Sequence, residues 1–469
     1  MIMAKGCLIL IPGINSITHK ERLTESYDFP RGGLSLASFL HSKGKRVHIV
    51  PLDYYLPNIK NPTELVIRMR HVIHSAVKDF DPALIGIGSP YTILYPTLLK
   101  IATFCKEVSD AVVCLGGVHV TYMHEQVFLD SNNVDVVVRG EGEWTLLELL
   151  EKIEAGVDYS SMAGVTVRNT KFGKRDNGSI TVNPPRPIGN MAELPMMKYD
   201  LLPERLVRNM TVTIVGSRGC PYKCSYCVES AFWGQKVRAN PMNVLVEEAK
   251  ILTQIYNNPP IAFEDSMFHM KSRRFYELCD QLKSIRLHPD FYILSRVDSL
   301  TDEGFKAMKE AGINKIIFGL ESASPKVQAI MNKNITYAQM EEACRRVTNA
   351  GLRVGSFWII GHPGDTPQEA GMTLDAIKRL YSIGCMEATE ISMFIPYPGT
   401  VIFENQEEYG IEILSHDWEK WGRFNTEPVC QLKEFRKDDI LKYWIKAQRL
   451  AEYWMAKRAY NMSFQRPVV

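Results

Sequence analysis

Cys220, Cys224 and Cys227 lie in the run GSRGCPYKCSYC, a C-x3-C-x2-C spacing that puts three thiolates on one short loop. An iron–sulfur cube usually takes four cysteines, one at each iron corner. Three leave one iron open to a small molecule, which suits a catalyst better than an electron store. Zinc is one alternative, but structural zinc is closed by four Cys or His ligands. No second CxxC or HxxxH pair follows downstream to complete such a set. The other alternative is a group of unrelated core cysteines, since free Cys is often buried. The Gly-Cys-Pro turn and the aromatic Tyr226 before the last cysteine weigh against both.

The loop must be held by something. It follows directly on the apolar stretch 211–216 (TVTIVG). Further strand patterns fall at 261–264, 291–295, 315–319, 354–360 and 390–394, with helical stretches at 242–257, 271–285, 302–311, 337–350 and 367–382 between them. Six β-α units predict a partial (β/α)6 version of the TIM-type barrel, whose catalytic groups gather at the carboxyl ends of the strands. Polar residues stand at those ends: Glu264 and Asp265 in IAFEDSMF, Arg296 in LSRVDSL and Glu321 in GLESAS. Solvated loop carboxylates or buried ion pairs would leave the same signature.

The first third reads differently. Apolar runs at 6–12, 47–53, 83–88, 111–115 and 134–138 alternate with helical stretches, and Pro62 opens an amphipathic helix carrying Leu65, Val66, Met69, Val72, Ile73, Val77 and Phe80. This α/β pattern predicts an N-terminal doubly wound, Rossmann-like parallel sheet. Ligands of such sheets bind beyond the carboxyl ends of the strands. Small residues cluster there: Gly13, Gly88, Ser89, Gly116, Gly117 and Gly140. They would let a large planar or phosphate-bearing ligand approach the backbone, or they are ordinary turn residues.

Bulk properties narrow the class. The chain has 469 residues, 45% hydrophobic and 23% charged, with a net charge of +2. That balance gives no electrostatic reason to expect nucleic acid as a partner. No apolar run approaches the ~20 residues of a membrane span. Ten cysteines without a small-domain framework suit a reducing cytoplasm.

Two resemblances follow from these residues. FPRGGLSLASFLHSKG, LGGVHVT and VVVRGEGEWTLLELL resemble stretches of the cobalamin-binding domain that precedes one large group of radical SAM enzymes. GCPYKCSYC and the strand-end motifs resemble radical SAM enzymes across about 206–400, and PYPGT (396–400) resembles the run closing the sixth strand in the cobalamin-linked group. The resemblance implies a 4Fe–4S cluster on Cys220, Cys224 and Cys227, with S-adenosylmethionine (SAM) chelating the open iron and being cleaved to methionine and a 5′-deoxyadenosyl radical. It implies SAM contacts at Tyr226, Glu264, Asp265, Arg296, Glu321 and Gly361, and cobalamin contacts at Gly13, Gly88, Ser89, Gly116, Gly117 and Gly140. One departure stands out. The Asp-x-His-x-x-Gly run that supplies a lower cobalt ligand in many cobalamin domains is missing, and His19 and His119 are the weak substitutes.

The expected organisation is a cobalamin-binding-like domain at 1–155, a linker with a small hairpin at 156–205, a partial barrel at 206–400 and a helical cap at 401–469. That cap is rich in aromatics: Trp418, Trp421, Phe424, Tyr443, Trp444, Tyr453 and Trp454. The implied activity is methylation of an unactivated carbon in a small-molecule or lipid substrate, with a flavodoxin or ferredoxin as reductant. A non-methylating radical SAM cyclase, oxidase or rearrangement enzyme is the alternative reading, and an iron–sulfur electron-transfer or binding module is the third.

Overall fold

The computed structural model describes residues 5–13, 29–56, 59, 61–171, 174–423 and 425–464; His19 and Phe424 lie outside them. The chain divides into two compact units at Val212/Thr213.

In the first unit, β1 (Cys7–Ile11), β2 (Val47–Pro51), β3 (Leu84–Gly88), β4 (Val112–Gly116) and β5 (Val136–Val138) form parallel ladders. The hairpin β6 (Val165–Lys171) and β7 (Lys174–Val182) continues the sheet antiparallel, giving the order β2-β1-β3-β4-β5-β6-β7. Leu8, Ile9, Leu10, Leu84 and Ile85 are buried, as strands covered on both faces must be. The helix Pro62–Phe80 shows how locally the sequence sets its ends. Asn61 accepts from the Thr63 and Glu64 amides, Pro62 starts the helix, and Asp81 in the left-handed region stops it. Strand order reverses between β1 and β3, which creates a crevice at their carboxyl ends.

The hairpin expected in a linker is instead part of this sheet, with Val167 paired to Val136. The three-residue β5 would otherwise be a bare edge, and β6 covers it.

In the second unit, β8 (Val212–Ile214) leads into the short antiparallel pair β9 (Ser217–Arg218) and β10 (Arg238–Ala239). The main sheet adds β11 (Ile261–Phe263), β12 (Tyr292–Ser295), β13 (Lys315–Glu321), β14 (Arg353–Ile360) and β15 (Ala388–Met393), in the order β15-β14-β13-β12-β11-β8. β11 through β15 run parallel, with a helix following each of the first five strands of the sheet. This is the expected partial barrel.

The C-terminal cap is more than helical: β16 (Ile411–Ile413) and β17 (Cys430–Leu432) pair antiparallel before the long helix Lys437–Phe464. Trp444 Nε1 and Gln448 Nε2 both donate to the Ile391 carbonyl, at 3.0 and 2.9 Å, and Trp454 stacks on Tyr381. The aromatic residues therefore dock the helix on edge strand β15, meeting a carbonyl that would otherwise be exposed. No helix among the described residues is long and apolar enough to cross a membrane.

Candidate functional site

The cysteine loop is positioned from below by a carboxylate. Asp265, buried just after β11, accepts from the Gly216 amide and from Ser217 Oγ, the latter at 2.6 Å. Arg274 donates to the carbonyls of Gly216 and Asn240, and the Asn240 amide donates back to Gly216. These bonds fix the chain where it leaves β8. The β9–β10 pairing then carries it to Gly219 and Cys220. Burial raises the Asp265 carboxyl to about 6. Asp265 is thus committed to the backbone, whereas its neighbour Glu264 is exposed at the mouth of the sheet. Of the two expected SAM contacts, only Glu264 presents its carboxylate outward.

Cys220, Cys224 and Cys227 are free thiols, each partly exposed. Burial raises all three, Cys227 to about 12, while Lys333 and Arg296 oppose the rise at Cys220 and Cys224. Metal binding there must release protons. A structural zinc takes four Cys or His ligands, whereas a cube takes one thiolate per corner and can leave a corner to a small molecule. Three thiols on one loop fit the cluster.

Above the loop lies a buried network. Lys333 Nζ sits 2.9 Å from Glu321 Oε1 and 3.2 Å from the Tyr226 hydroxyl. Burial, then the Glu321 charge, holds the Tyr226 phenol well above its ordinary value. Glu321 has φ +65°, rare for a residue with a side chain. Such strain persists where surroundings over-determine it, and here Gly319 has no side chain because the Glu321 and Lys333 head groups occupy that space. Lys333 was not among the expected site residues.

The Arg296 guanidinium lies over Tyr222, 3.8 Å from the ring centre, forks onto Asp298 and donates to the Lys333 carbonyl at 3.0 Å. It ties the cysteine loop to the Lys333 loop. Gly361 (φ +90°) shapes a turn in which its amide donates to Asp365, and Ile440 fills the space a side chain would take. It therefore faces packing, not an open cleft. The adjacent His362 is wholly buried, edge-on to Tyr226, and burial pushes its ring down to about 3.

Asp365 leads to a pH prediction. Burial raises its carboxyl to about 7, against about 3.9 in an unfolded chain. Between those values the folded protein holds a proton that the unfolded chain has released. Stability should therefore fall as pH rises from 5 to 7, by up to about 1.4 kcal/mol per unit, and level off above. Denaturant titrations of wild type and Asp365→Asn across pH 5–8 check this. The variant should show a flatter profile; parallel profiles would refute the assignment.

In the first unit Gly13, Gly88, Ser89, Gly116, Gly117 and Gly140 stand at or just beyond the carboxyl ends of β1, β3, β4 and β5. Gly13 donates to Asp53 Oδ1 at 3.2 Å, and Ser89 Oγ accepts from the Tyr91 amide. Gly88 pairs with Gly116. A β-carbon at Gly117, where φ is +116°, would collide with the Ser89 carbonyl. At Gly140 no atom of the described residues stands within 4 Å of where a side chain would be. Glycine backbone thus stands at the ends of β3, β4 and β5, where a large flat ligand could approach it, whereas at Gly13 the Asp53 carboxylate fills the side-chain space. His119 is buried against Tyr95, at a ring-centre distance of 4.5 Å, and burial lowers it to about 4. It lies in the packing, not on the rim.

Comparison with known proteins agrees with this geometry. Residues 214–377 match the model of the radical SAM superfamily, and residues 25–150 match the B12 binding domain. An uncharacterized methyltransferase of Pyrococcus horikoshii is 32% identical over 383 residues, 80% of each chain. The chain belongs to the cobalamin-binding branch of the radical SAM superfamily. Its cofactors are accordingly a 4Fe–4S cluster, SAM and cobalamin. An anaerobic magnesium-protoporphyrin IX monomethyl ester cyclase of Rubrivivax gelatinosus is 25% identical, over 75% of this chain and 62% of that protein. The solved structure of the radical SAM methyltransferase TsrM from Kitasatospora setae, with cobalamin and a [4Fe–4S] cluster bound, shares the fold. It superposes with a TM-score of 0.68 over 96% of this chain and 88% of that one, at 16% identity. This radical SAM chain thus carries both units in the order expected from sequence.

Proposed function

We propose that this protein is a cobalamin-dependent radical SAM methyltransferase acting on an unactivated carbon of a small-molecule or lipid substrate, in the cytoplasm, with a flavodoxin or ferredoxin as electron donor. The observation that carries the reading is the cysteine loop, three thiols beside a buried cation. The kinship with a protein described as a methyltransferase supports transfer of a methyl group. Ten free cysteines suit a reducing compartment.

Cys220, Cys224 and Cys227 would hold the cluster. Lys333 would face the carboxylate of SAM, and Tyr226 would flank its adenine. Glu264 is the outward carboxylate for its amino group. Bound together, these cofactors supply homolytic cleavage of SAM and a methyl donor at cobalt. The chain's own residues orient and enclose. Arg296 fixes the loop through Tyr222, Glu321 holds Lys333 in place, and the buried His362–Phe394 contact backs Tyr226 on its dry side.

The test is anaerobic reconstitution with iron, sulfide and hydroxocobalamin, then incubation with methyl-deuterated SAM, reduced flavodoxin and a host metabolite and lipid extract. Mass spectrometry should find 5′-deoxyadenosine and a product carrying the labelled methyl. An altered product without label would favour a cyclase or rearrangement, and failure to consume SAM would sink both.

A further inference from the structure

Beyond the glycines at these strand ends, one hydroxyl stitches two of the turns there together. The turn after β4 begins at Gly117, and the turn after β5 contains Gly140. Thr121 Oγ1 donates to the Gly117 carbonyl at 2.8 Å and accepts from the Gly140 amide at 3.0 Å. It uses its donor and one acceptor position at once, as a hydroxyl can and a methyl cannot.

The two turns it joins need such a link. Gly140 (φ +74°) has open space on its side-chain face among the described residues, and no described side chain packs against that turn there. The short helix Val118–Tyr122 has no side-chain cap at its start; Thr121 instead bonds back to Gly117. On the other side, the Gly117 turn is set by its close approach to Ser89 after β3. A chain of contacts thus runs Ser89–Gly117–Thr121–Gly140 across the carboxyl ends of three neighbouring strands.

We infer that Thr121 is a positioning residue for cobalamin: it pre-sets the spacing of the β4 and β5 turns, so that the ligand need not order them on binding. Preorganisation of this kind acts on affinity by cutting the ordering cost. The inference rests on the cobalamin assignment.

The experiment compares wild type, Thr121→Val and Thr121→Ser, each reconstituted with its iron–sulfur cluster and titrated with hydroxocobalamin by absorbance and tryptophan quenching. Valine keeps the shape and removes both hydrogen bonds, whereas serine keeps the hydroxyl. Binding to T121V should weaken about tenfold, as expected for two lost bonds worth a little under 1 kcal/mol each. T121S should bind within about twofold of wild type, the hydroxyl being retained. Cluster absorbance and the cobalamin-free melting temperature report folding separately. If T121V misfolds, Thr121→Ala takes its place with the same expectation.

Equal affinity of wild type and T121V would overturn the inference. Equal weakening of T121V and T121S would also overturn it, because the methyl group would then matter and not the hydroxyl. A wild-type protein that takes up no hydroxocobalamin would remove the cofactor assignment itself, and Thr121's role with it.

Discussion

Cys224→Ala, reconstituted anaerobically, should hold no 4Fe–4S cluster and form no 5′-deoxyadenosine above background, while its first unit still takes up hydroxocobalamin. Three thiolates already leave the cube one ligand short, so losing another leaves two corners without protein. No other cysteine can step in. Cys7, Cys105, Cys114, Cys279, Cys344, Cys385 and Cys430 are all buried in packing. Burial also holds several of them, including Cys279 and Cys430, in the thiol form, which is a poor ligand. The loop itself should persist, because its anchors are Asp265, Arg274 and the β9–β10 pair, none of which involves the Cys224 sulfur. Iron per chain and visible absorbance decide the matter. An unchanged cluster spectrum would refute the ligand assignment, and loss of hydroxocobalamin uptake would contradict the expected retention of binding by the first unit.

The parts legible in the sequence were those whose signal is contiguous. A strand buried on both faces is a continuous apolar run, and CLILI or VVCLG can hardly be anything else. The cysteine loop is legible for the same reason, with all its ligands in one short stretch. What could not be read depends on facing. Glu264 and Asp265 are adjacent at a strand end, and neighbours there point to opposite sides. Sequence alone cannot tell which carboxylate meets ligand and which is absorbed by the backbone of Gly216 and Ser217.

Gly361 presents the same difficulty in another form. Its motif is recognisable, but the Ile440 side chain that covers it comes from the remote C-terminal helix. The hairpin β6–β7 is legible as a hairpin; its place on the sheet is not, because that depends on β5 being too short to end it. Lys333 was missed because it lies 12 residues beyond Glu321 in a loop, in the run MNKNIT. A signal was present. Asn332 and Asn334 on either side both adopt positive φ, and Asn is among the few residues that tolerate such a turn. Two such residues flanking one lysine mark a tightly shaped loop.

Lys333 and Glu321 also carry the second large effect. Both side chains are more than nine-tenths buried. Removing one partner of such a pair leaves an uncompensated charge and typically costs 3–5 kcal/mol, roughly, whereas replacing both is close to neutral. Lys333→Met alone and Glu321→Gln alone should therefore each lower the denaturant midpoint sharply, and the double variant should recover most of the loss. Binding should behave differently. If Lys333 serves only to neutralise Glu321, the recovered double variant binds SAM like wild type. If the ammonium is the cation for the SAM carboxylate, the double variant is stable yet binds at least about tenfold more weakly, since a charge-assisted hydrogen bond is worth some 1.5–3 kcal/mol. Equilibrium dialysis of SAM against the three reconstituted variants, beside their denaturation curves, separates these outcomes. We expect stability to return and affinity not to, because Lys333 Nζ has three donors and its two observed partners, Glu321 and Tyr226, leave one of them for a ligand.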